Sequence, residues 1–358
     1  MYIFTACMLF VLSLISSSPR WNKKKNKSLM IFACLWLILH DGLRWQVGSD
    51  WEPYYKYFFD PADHFNFEPA YQYLNIIVRS FTDEYNFFLI VVATFFYTLS
   101  FREIYRYSIS PLMTVTIFYS IMVGMMGMNR QEFTLAISIF SVPFILNRDW
   151  KKFLIATAIG FCFHRTALFF LPAYFLADKK WGPKFIIVSI TVLLVVYFSG
   201  VIKNLSVLKY AALLGSDFEY RVEVSMLDNE RGFSAISGVI KRLLMIYLFY
   251  KFIYKKKCVE PHVKLFFNFY VFGVWLYLLT NGTYLQTIAS RGALYYNIYE
   301  CFLVPLLLFS VPIKMRERQI LWLLIFIYYV YMLDRSMDSY LLMDAKEEVF
   351  RPYKSVLF

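Results

Sequence analysis

Three short polar motifs interrupt long apolar runs: Met126-Gly127-Met128-Asn129-Arg130-Gln131, Cys162-Phe163-His164-Arg165-Thr166-Ala167 and Ala289-Ser290-Arg291-Gly292-Ala293. Arg130 and Arg291 each stand between apolar segments with almost no loop, so their guanidinium groups are expected at a membrane boundary. A charge held there is costly unless it faces a cavity or a partner, which makes such residues candidates for function. Several cations around one cavity imply an anionic ligand. Arginine suits a phosphate because its planar fork donates two parallel charge-assisted hydrogen bonds and stays protonated. A lipid diphosphate is the anion that a membrane surface offers. His164, set in an otherwise apolar hairpin, has an ordinary pKa near neutrality that suits a general base for a hydroxyl.

Two further segments contribute candidates. In Arg44-Trp45-Gln46-Val47-Gly48-Ser49-Asp50-Trp51, Gly48 permits a tight turn that would bring Arg44 and Asp50 together, with Asp50 orienting an arginine or accepting a proton. Glu68, Arg165 and the Lys241-Arg242 pair complete the polar set. Each has a plainer alternative: arginines at helix ends snorkel to headgroups, and a helix-end histidine often only satisfies a hydrogen bond. The acidic run from Asp217 to Glu230 reads as a solvated loop, without the ligand spacing of a metal site. The Tyr and Trp excess reads mainly as an interfacial belt, with a subset free to stack on rings.

The elements that must hold these residues follow from composition. The 358 residues are 59% hydrophobic and 21% aromatic, with a mean hydropathy of +0.50, above the roughly 45–50% apolar content of a soluble domain. Apolar runs recur to the end, so the whole chain, 1–358, reads as one all-α membrane domain. Twelve spans are expected: 2–16, 28–43, 85–101, 110–127, 132–146, 153–164, 166–177, 185–201, 234–254, 264–280, 292–310 and 319–333. The sixth and seventh are short, and 152–179 reads as a hairpin of half-helices turning at His164.

Of the 37 Lys and Arg, 21 fall in the connections 17–27, 102–109, 147–152, 178–184, 251–264 and 311–318. Short basic loops resist translocation, so these are cytoplasmic and both chain ends lie outside. The net charge of +12 therefore reports topology and not a nucleic-acid partner. Outside lie residues 44–84, with 70–81 as an amphipathic interfacial helix, then 202–233, 281–291 and the tail 334–358. The first apolar run has no basic residue before it and several after it, the reverse of a signal peptide. The five cysteines are scattered, with no CxxC and no zinc spacing. Neither an internal repeat nor a nucleotide-, zinc- or serine-hydrolase motif is present.

In order along the chain, Arg44-x-x-x-Gly48-x-Asp50-x-x-x-Tyr54, Phe67-Glu68-Pro69-Ala70-Tyr71, Asn129-Arg130-Gln131, Phe163-His164-Arg165-Thr166-Ala167, Arg291-x-x-x-Tyr295 and Arg351-Pro352-Tyr353 resemble the EpsG-like branch of the Wzy-type bacterial polysaccharide repeat-unit polymerases. The resemblance implies a glycosyltransferase of the C-type membrane architecture in the bacterial inner (cytoplasmic) membrane, working on its periplasmic or outer face. It implies undecaprenyl-diphosphate-linked oligosaccharides as donor and acceptor, an O-antigen or related surface polysaccharide as product, and a chain-length regulator as partner. Trp51 stands where the family often has tyrosine. Arg165 directly after His164 leaves open which of the two faces the cavity.

The expected reaction uses His164, or Asp50 in its place, to take the proton of the attacking hydroxyl. Arg130 and Arg291, with Arg44, stabilise the departing diphosphate, while Arg165, Glu68, Gln131, Tyr54 and Tyr295 contact substrate. Clustered cations and few paired carboxylates point to a metal-independent, cofactor-free reaction with inversion. Three other readings share parts of this pattern. An O-antigen ligase would carry its histidine on a large periplasmic loop, and a flippase or other transporter would need charges in both halves of its bundle. A membrane O-acyltransferase would set its histidine deep in the bundle.

Overall fold

The apolar runs fold into helices in the computed structural model, which describes residues 1–17, 23–61, 67–204, 232–255, 259–281, 283, 285, 288–338 and 348–357. The acidic segment 217–230, His64 and Cys258 therefore lie outside the described residues, as do most of the loop 202–233 and part of the loop 281–291. Nine helices come first: α1 Tyr2–Ser16, α2 Lys23–Gly42, α3 Trp51–Phe59, α4 Pro69–Arg79, α5 Tyr85–Tyr107, α6 Pro111–Met122, α7 Asn129–Phe140, α8 Val142–Leu146 and α9 Trp150–Phe163. Then follow α10 Ala173–Leu176, α11 Pro183–Ser199, α12 Val201–Asn204, α13 Gly232–Phe249, α14 Pro261–Thr280, α15 Leu294–Asn297, α16 Glu300–Ser310 and α17 Met315–Asp338. The described residues contain no strand, only an isolated antiparallel bridge between Arg44 and Ser355.

Local chemistry explains many of the ends. Prolines open α4, α6, α11 and α14 at their first turn, where the missing N–H is not needed. Asp149 caps α9 by accepting the Lys152 N–H (3.1 Å). The helices of 85–107, 261–280 and 315–338 are long and apolar enough to cross a membrane, and 288–297 with 300–310 pass the same test only as a pair bent by 44°. Those of 2–16, 111–125, 165–176 and 183–199 are shorter apolar helices. Along α11, Ile187, Val188, Val192, Val195 and Phe198 are each more than half exposed. Such a face suits hydrocarbon and not water.

Several expected spans are interrupted. The run 132–146 is two helices, because the chain turns at Ser141 and Pro143 starts α8. The run 292–310 breaks between Asn297 and Glu300, and 166–177 is a 3-10 turn, Arg165–Phe170, followed by α10. The loop 44–84 holds two helices: α4, close to the expected 70–81, and α3, which the sequence pattern did not mark.

The fold clusters into two compact units, Met1–Leu168 with Val304–Phe358, and Phe169–Leu303. In the first, an aromatic core including Trp51, Tyr54, Phe58, Tyr71, Tyr85 and Phe88 fastens α3 and α4 to α5, each buried large side chain contributing about 1.5–3 kcal/mol. Helix α1 packs on α17 through stacked Phe10 and Phe326 (4.2 Å) and the Trp322 indole N–H on the Ser13 hydroxyl (2.8 Å). In the second, Asn268 of α14 donates to the carbonyls of Leu176 (2.8 Å) and Lys179 (2.9 Å). Two π-helical turns, Tyr250–Tyr254 and Ile288–Gly292, also lie in this unit.

Arg44 ties the first unit together. Its guanidinium, 1% exposed, pairs with Asp41 and donates from Nη2 to Asn129 Oδ1 (2.8 Å), joining the end of α2 to the start of α7. Its main chain is held by the C-terminal tail: the Trp45 N–H reaches Lys354 O (3.0 Å), the Gly48 N–H reaches Val349 O (2.8 Å) and the Val356 N–H reaches Leu43 O (3.1 Å). Arg351 anchors that tail on Asp334 and Asp338 of α17. The ring of Tyr353 meets those of Tyr2 (5.5 Å) and His40 (4.8 Å), so the start of α1, the end of α2 and the tail meet. Gly48 adopts φ +111° against Gly127 at φ +100°. A Cβ at Gly48 would come within 2.6 Å of the Met126 carbonyl oxygen, so only glycine allows this approach.

Removing one partner of a buried pair leaves an uncompensated charge at a cost of about 3–5 kcal/mol, whereas removing both is far less damaging. Arg44→Met is therefore expected to destabilise strongly, and Asp41→Asn added to it to recover part of the loss, as measured by thermal unfolding in detergent.

Candidate active site

A cluster of polar side chains forms where three chain segments of the first unit converge. Arg130 projects from the first turn of α7, Glu68 precedes α4, Tyr54 lies on α3, and His164 occupies the break after α9. The Pro69 ring starts α4 and leaves Glu68 extended (φ −64°, ψ 149°), with no side-chain bond to its own helix. Its carboxylate is thus available to the other segments. His164 is likewise extended (φ −157°, ψ 131°) and ends α9.

The contacts are specific. Arg130 Nη1 donates to Glu68 Oε2 (2.5 Å) and Nε donates to the Tyr54 hydroxyl (3.0 Å). The guanidinium lies over the Phe67 ring at 4.2 Å, a stacking that favours arginine over lysine. Those bonds leave Nη2 as the terminal donor not engaged by the described residues. Glu68 Oε1 accepts the Arg165 N–H (3.2 Å) and stands 3.7 Å from His164 Nδ1. The Thr166 N–H in turn points at His164 Nδ1 (3.3 Å). The side chains of Glu68, His164 and Arg130 are 10%, 13% and 19% exposed, so the cluster is recessed but reachable.

This geometry answers which of the adjacent basic residues joins the cluster. His164 contributes its ring, while Arg165 contributes its main-chain N–H and its side chain is exposed. With the Thr166 N–H on Nδ1, a neutral imidazole carries its proton on Nε2. Glu68 Oε1, at 3.7 Å, stands beyond hydrogen-bond distance of Nδ1. The carboxylate thus stands beside the histidine ring, close enough to pair with it when the imidazole is protonated.

The remaining sequence candidates lie elsewhere. Asp50 precedes α3, and its carbonyl accepts the Tyr54 N–H (3.3 Å). The carboxylate paired with Arg44 is Asp41, not Asp50. Arg44 is enclosed by Asp41 and Asn129, an environment without space for a diphosphate. Gln131 is buried on α7. Arg291 belongs to the π-helical turn Ile288–Gly292 of the second unit, and Tyr295 is buried in that unit against Phe170.

The sequence reading passed over Asp41 and Glu132, and named Asn129 only as part of a motif, without a role. Glu132 is 3% exposed, its Oε2 has no hydrogen-bond partner among the described residues, and with Asp41, Tyr97 and Tyr119 it lines a cavity of about 10 Å³, near the size of one water. Asp41, within an apolar run, and Glu132, beside Arg130, carried the intramembrane-charge signal that would have marked them.

Burial acts to raise the pKa of Glu68, but the adjacent Arg130 guanidinium and the hydrogen bonds to the carboxylate outweigh it and hold the acid below its ordinary value. Ionised Glu68 thus adds stability above about pH 4.3, the ordinary glutamate value, and this contribution is lost as the pH falls through the lowered folded value. Glu68→Gln removes it. The unfolding midpoints of wild type and variant, apart at neutral pH, are expected to converge on acidification, as followed by thermal unfolding in one detergent from pH 7 to pH 3.

The sequence profile of the EpsG family matches residues 27–355, a stretch that contains Glu68, Arg130 and His164. No curated protein and no solved structure matches the chain.

Proposed function

The chain belongs to the EpsG family, and from that premise and the Glu68–Arg130–His164 cluster we propose that it polymerises lipid-diphosphate-linked oligosaccharide repeat units into a surface polysaccharide. The observation that carries the reading is the convergence of an orienting carboxylate, a histidine and a stacked arginine with one donor directed at no described residue. An acyl donor would not call for the arginine, and a purely structural ion pair would not call for the histidine.

In this mechanism the His164 ring turns so that Nδ1–H donates to Glu68, and Nε2 takes the proton of the acceptor sugar hydroxyl. The hydroxyl oxygen then attacks the anomeric carbon of the growing glycan, and the bond to the lipid diphosphate breaks with inversion. Arg130, fixed by Glu68, Tyr54 and Phe67, offers Nη2 to the departing diphosphate. Such preorganised donors act where charge develops. The proposal assigns Arg44 to holding the scaffold, and Asp50 to positioning Tyr54. No divalent metal takes part.

The proposed setting is the outer face of a bacterial cytoplasmic membrane, with twelve spans and both ends outside. What supports the topology is the basic-loop pattern, together with the meeting of Tyr2 and Tyr353. Undecaprenyl diphosphate is the proposed lipid, and a chain-length regulator the proposed partner.

In a polymerisation assay with purified, folded variants, His164→Ala is expected to lower the rate about 10²–10⁴-fold and Arg130→Gln about 10²–10³-fold. Near-normal rates in both would show that the cluster is not the active site. Activity is expected to survive EDTA; full loss that magnesium or manganese restores would refute the metal-free mechanism.

A further inference from the structure

Lys241 and Arg242 are adjacent cations in the apolar helix α13, and the second unit treats them differently. Lys241 Nζ is neutralised by Glu300 at 2.7 Å. Arg242 pairs with no carboxylate among the described residues. Its Nη1 donates to the Gly238 carbonyl (3.0 Å), and its guanidinium lies over the Tyr277 ring at 3.7 Å. A backbone oxygen and an aromatic face orient a guanidinium without cancelling its charge. The fork of Nε and Nη2 is engaged by none of the described residues.

The room around this fork is built into the sequence. A Cβ at Gly238 would stand 3.1 Å from both Arg242 Nη1 and the Tyr277 hydroxyl, closer than most real contacts, so glycine is what lets both polar groups sit against the helix. Tyr277 is one turn from the end of α14 at Thr280, whereas Arg242 lies midway along α13. On α13 itself Ile236, Ile240 and Leu244 are exposed, an apolar face suited to lipid chains. An unneutralised guanidinium beside such a face suits an anion that arrives with a hydrocarbon tail.

We propose that Arg242, held on Tyr277 and accommodated by Gly238, is a recognition site for the diphosphate of a polyprenyl lipid. The fork of Nε and Nη2 would take two phosphate oxygens in parallel, and the Tyr277 hydroxyl would donate to a third. The phosphate chemistry stands on the contacts of the second unit alone; only the choice of a polyprenyl chain rests on the proposed lipid-linked substrate.

The test is binding and not turnover. Full-length wild type, Arg242→Gln, Arg242→Lys and Gly238→Ala would be reconstituted in phosphatidylcholine nanodiscs and titrated with undecaprenyl diphosphate by native mass spectrometry. Arg242→Gln should weaken binding about tenfold or more, and Arg242→Lys, which keeps the charge but not the fork, should weaken it less. Gly238→Ala, which keeps the arginine but crowds it, should also weaken binding, and it serves if Arg242→Gln does not fold. Unchanged affinity in folded Arg242→Gln and Gly238→Ala would overturn the proposal. Displacement by equimolar phosphatidic acid would overturn it in favour of an ordinary headgroup anchor, and equal displacement by inorganic pyrophosphate in favour of a free-anion site. Lost binding with intact polymerisation, or the reverse, would separate this site from the reaction proposed above.

Discussion

The enclosed ion pair between Arg44 and Asp41 is the constraint on which the first unit depends. A guanidinium that is 1% exposed needs its charge met, and the pairs that Nη1 and Nη2 make here join the end of α2 to α7 through Asp41 and Asn129, with Nε left without a partner among the described residues. Because Arg44 follows α2 by two residues, fixing its side chain fixes the turn behind it. That turn is then paired with residues 349–356 by main-chain hydrogen bonds. The tail is in turn fastened to α17 by Arg351. One buried charge thus sets the positions of four parts of the chain that are far apart in sequence.

The cluster around Arg130 inherits its geometry from that arrangement. Asn129, which accepts from Arg44, is the first residue of α7, and Arg130 is the next. Holding Asn129 toward Arg44 therefore determines where the Arg130 side chain leaves the helix. Both arginines meet a carboxylate, but Asp41 and an amide enclose Arg44, whereas Arg130, paired with Glu68, lies on Phe67 with a terminal nitrogen left over. A similar contrast separates Lys241, bound to Glu300, from Arg242, stacked on Tyr277. In the second unit the neighbour is oriented by contacts that carry no opposite charge, whereas in the first Arg130 is paired with Glu68 and keeps only a terminal nitrogen free of the described residues.

Much of this was legible in the sequence. The hydropathy pattern located most helices, and the chain turns at His164 as the polar break in its apolar run suggested. The motif residues Glu68, Arg130, His164 and Arg165 do converge, joined by Tyr54. The misreadings have a common physical origin. Apolar content does not report whether a run is one helix or two, so the turns at Ser141 and Asn297 were invisible. A helix such as α3, made of aromatic and charged residues, is stabilised by the core it packs on and carries little signal of its own.

By itself, the sequence determined the class of protein, the approximate helices and the set of costly charges, because hydropathy and charge are properties of short stretches. Only the tertiary structure decided which charges meet. Arg44 takes Asp41 in place of Asp50, and Arg130 takes Glu68, 62 residues away. The strength of a charge pair depends on distance and burial, which packing sets and residue spacing does not express. For the same reason, whether a given arginine anchors the scaffold or faces a ligand is decided by what surrounds its guanidinium.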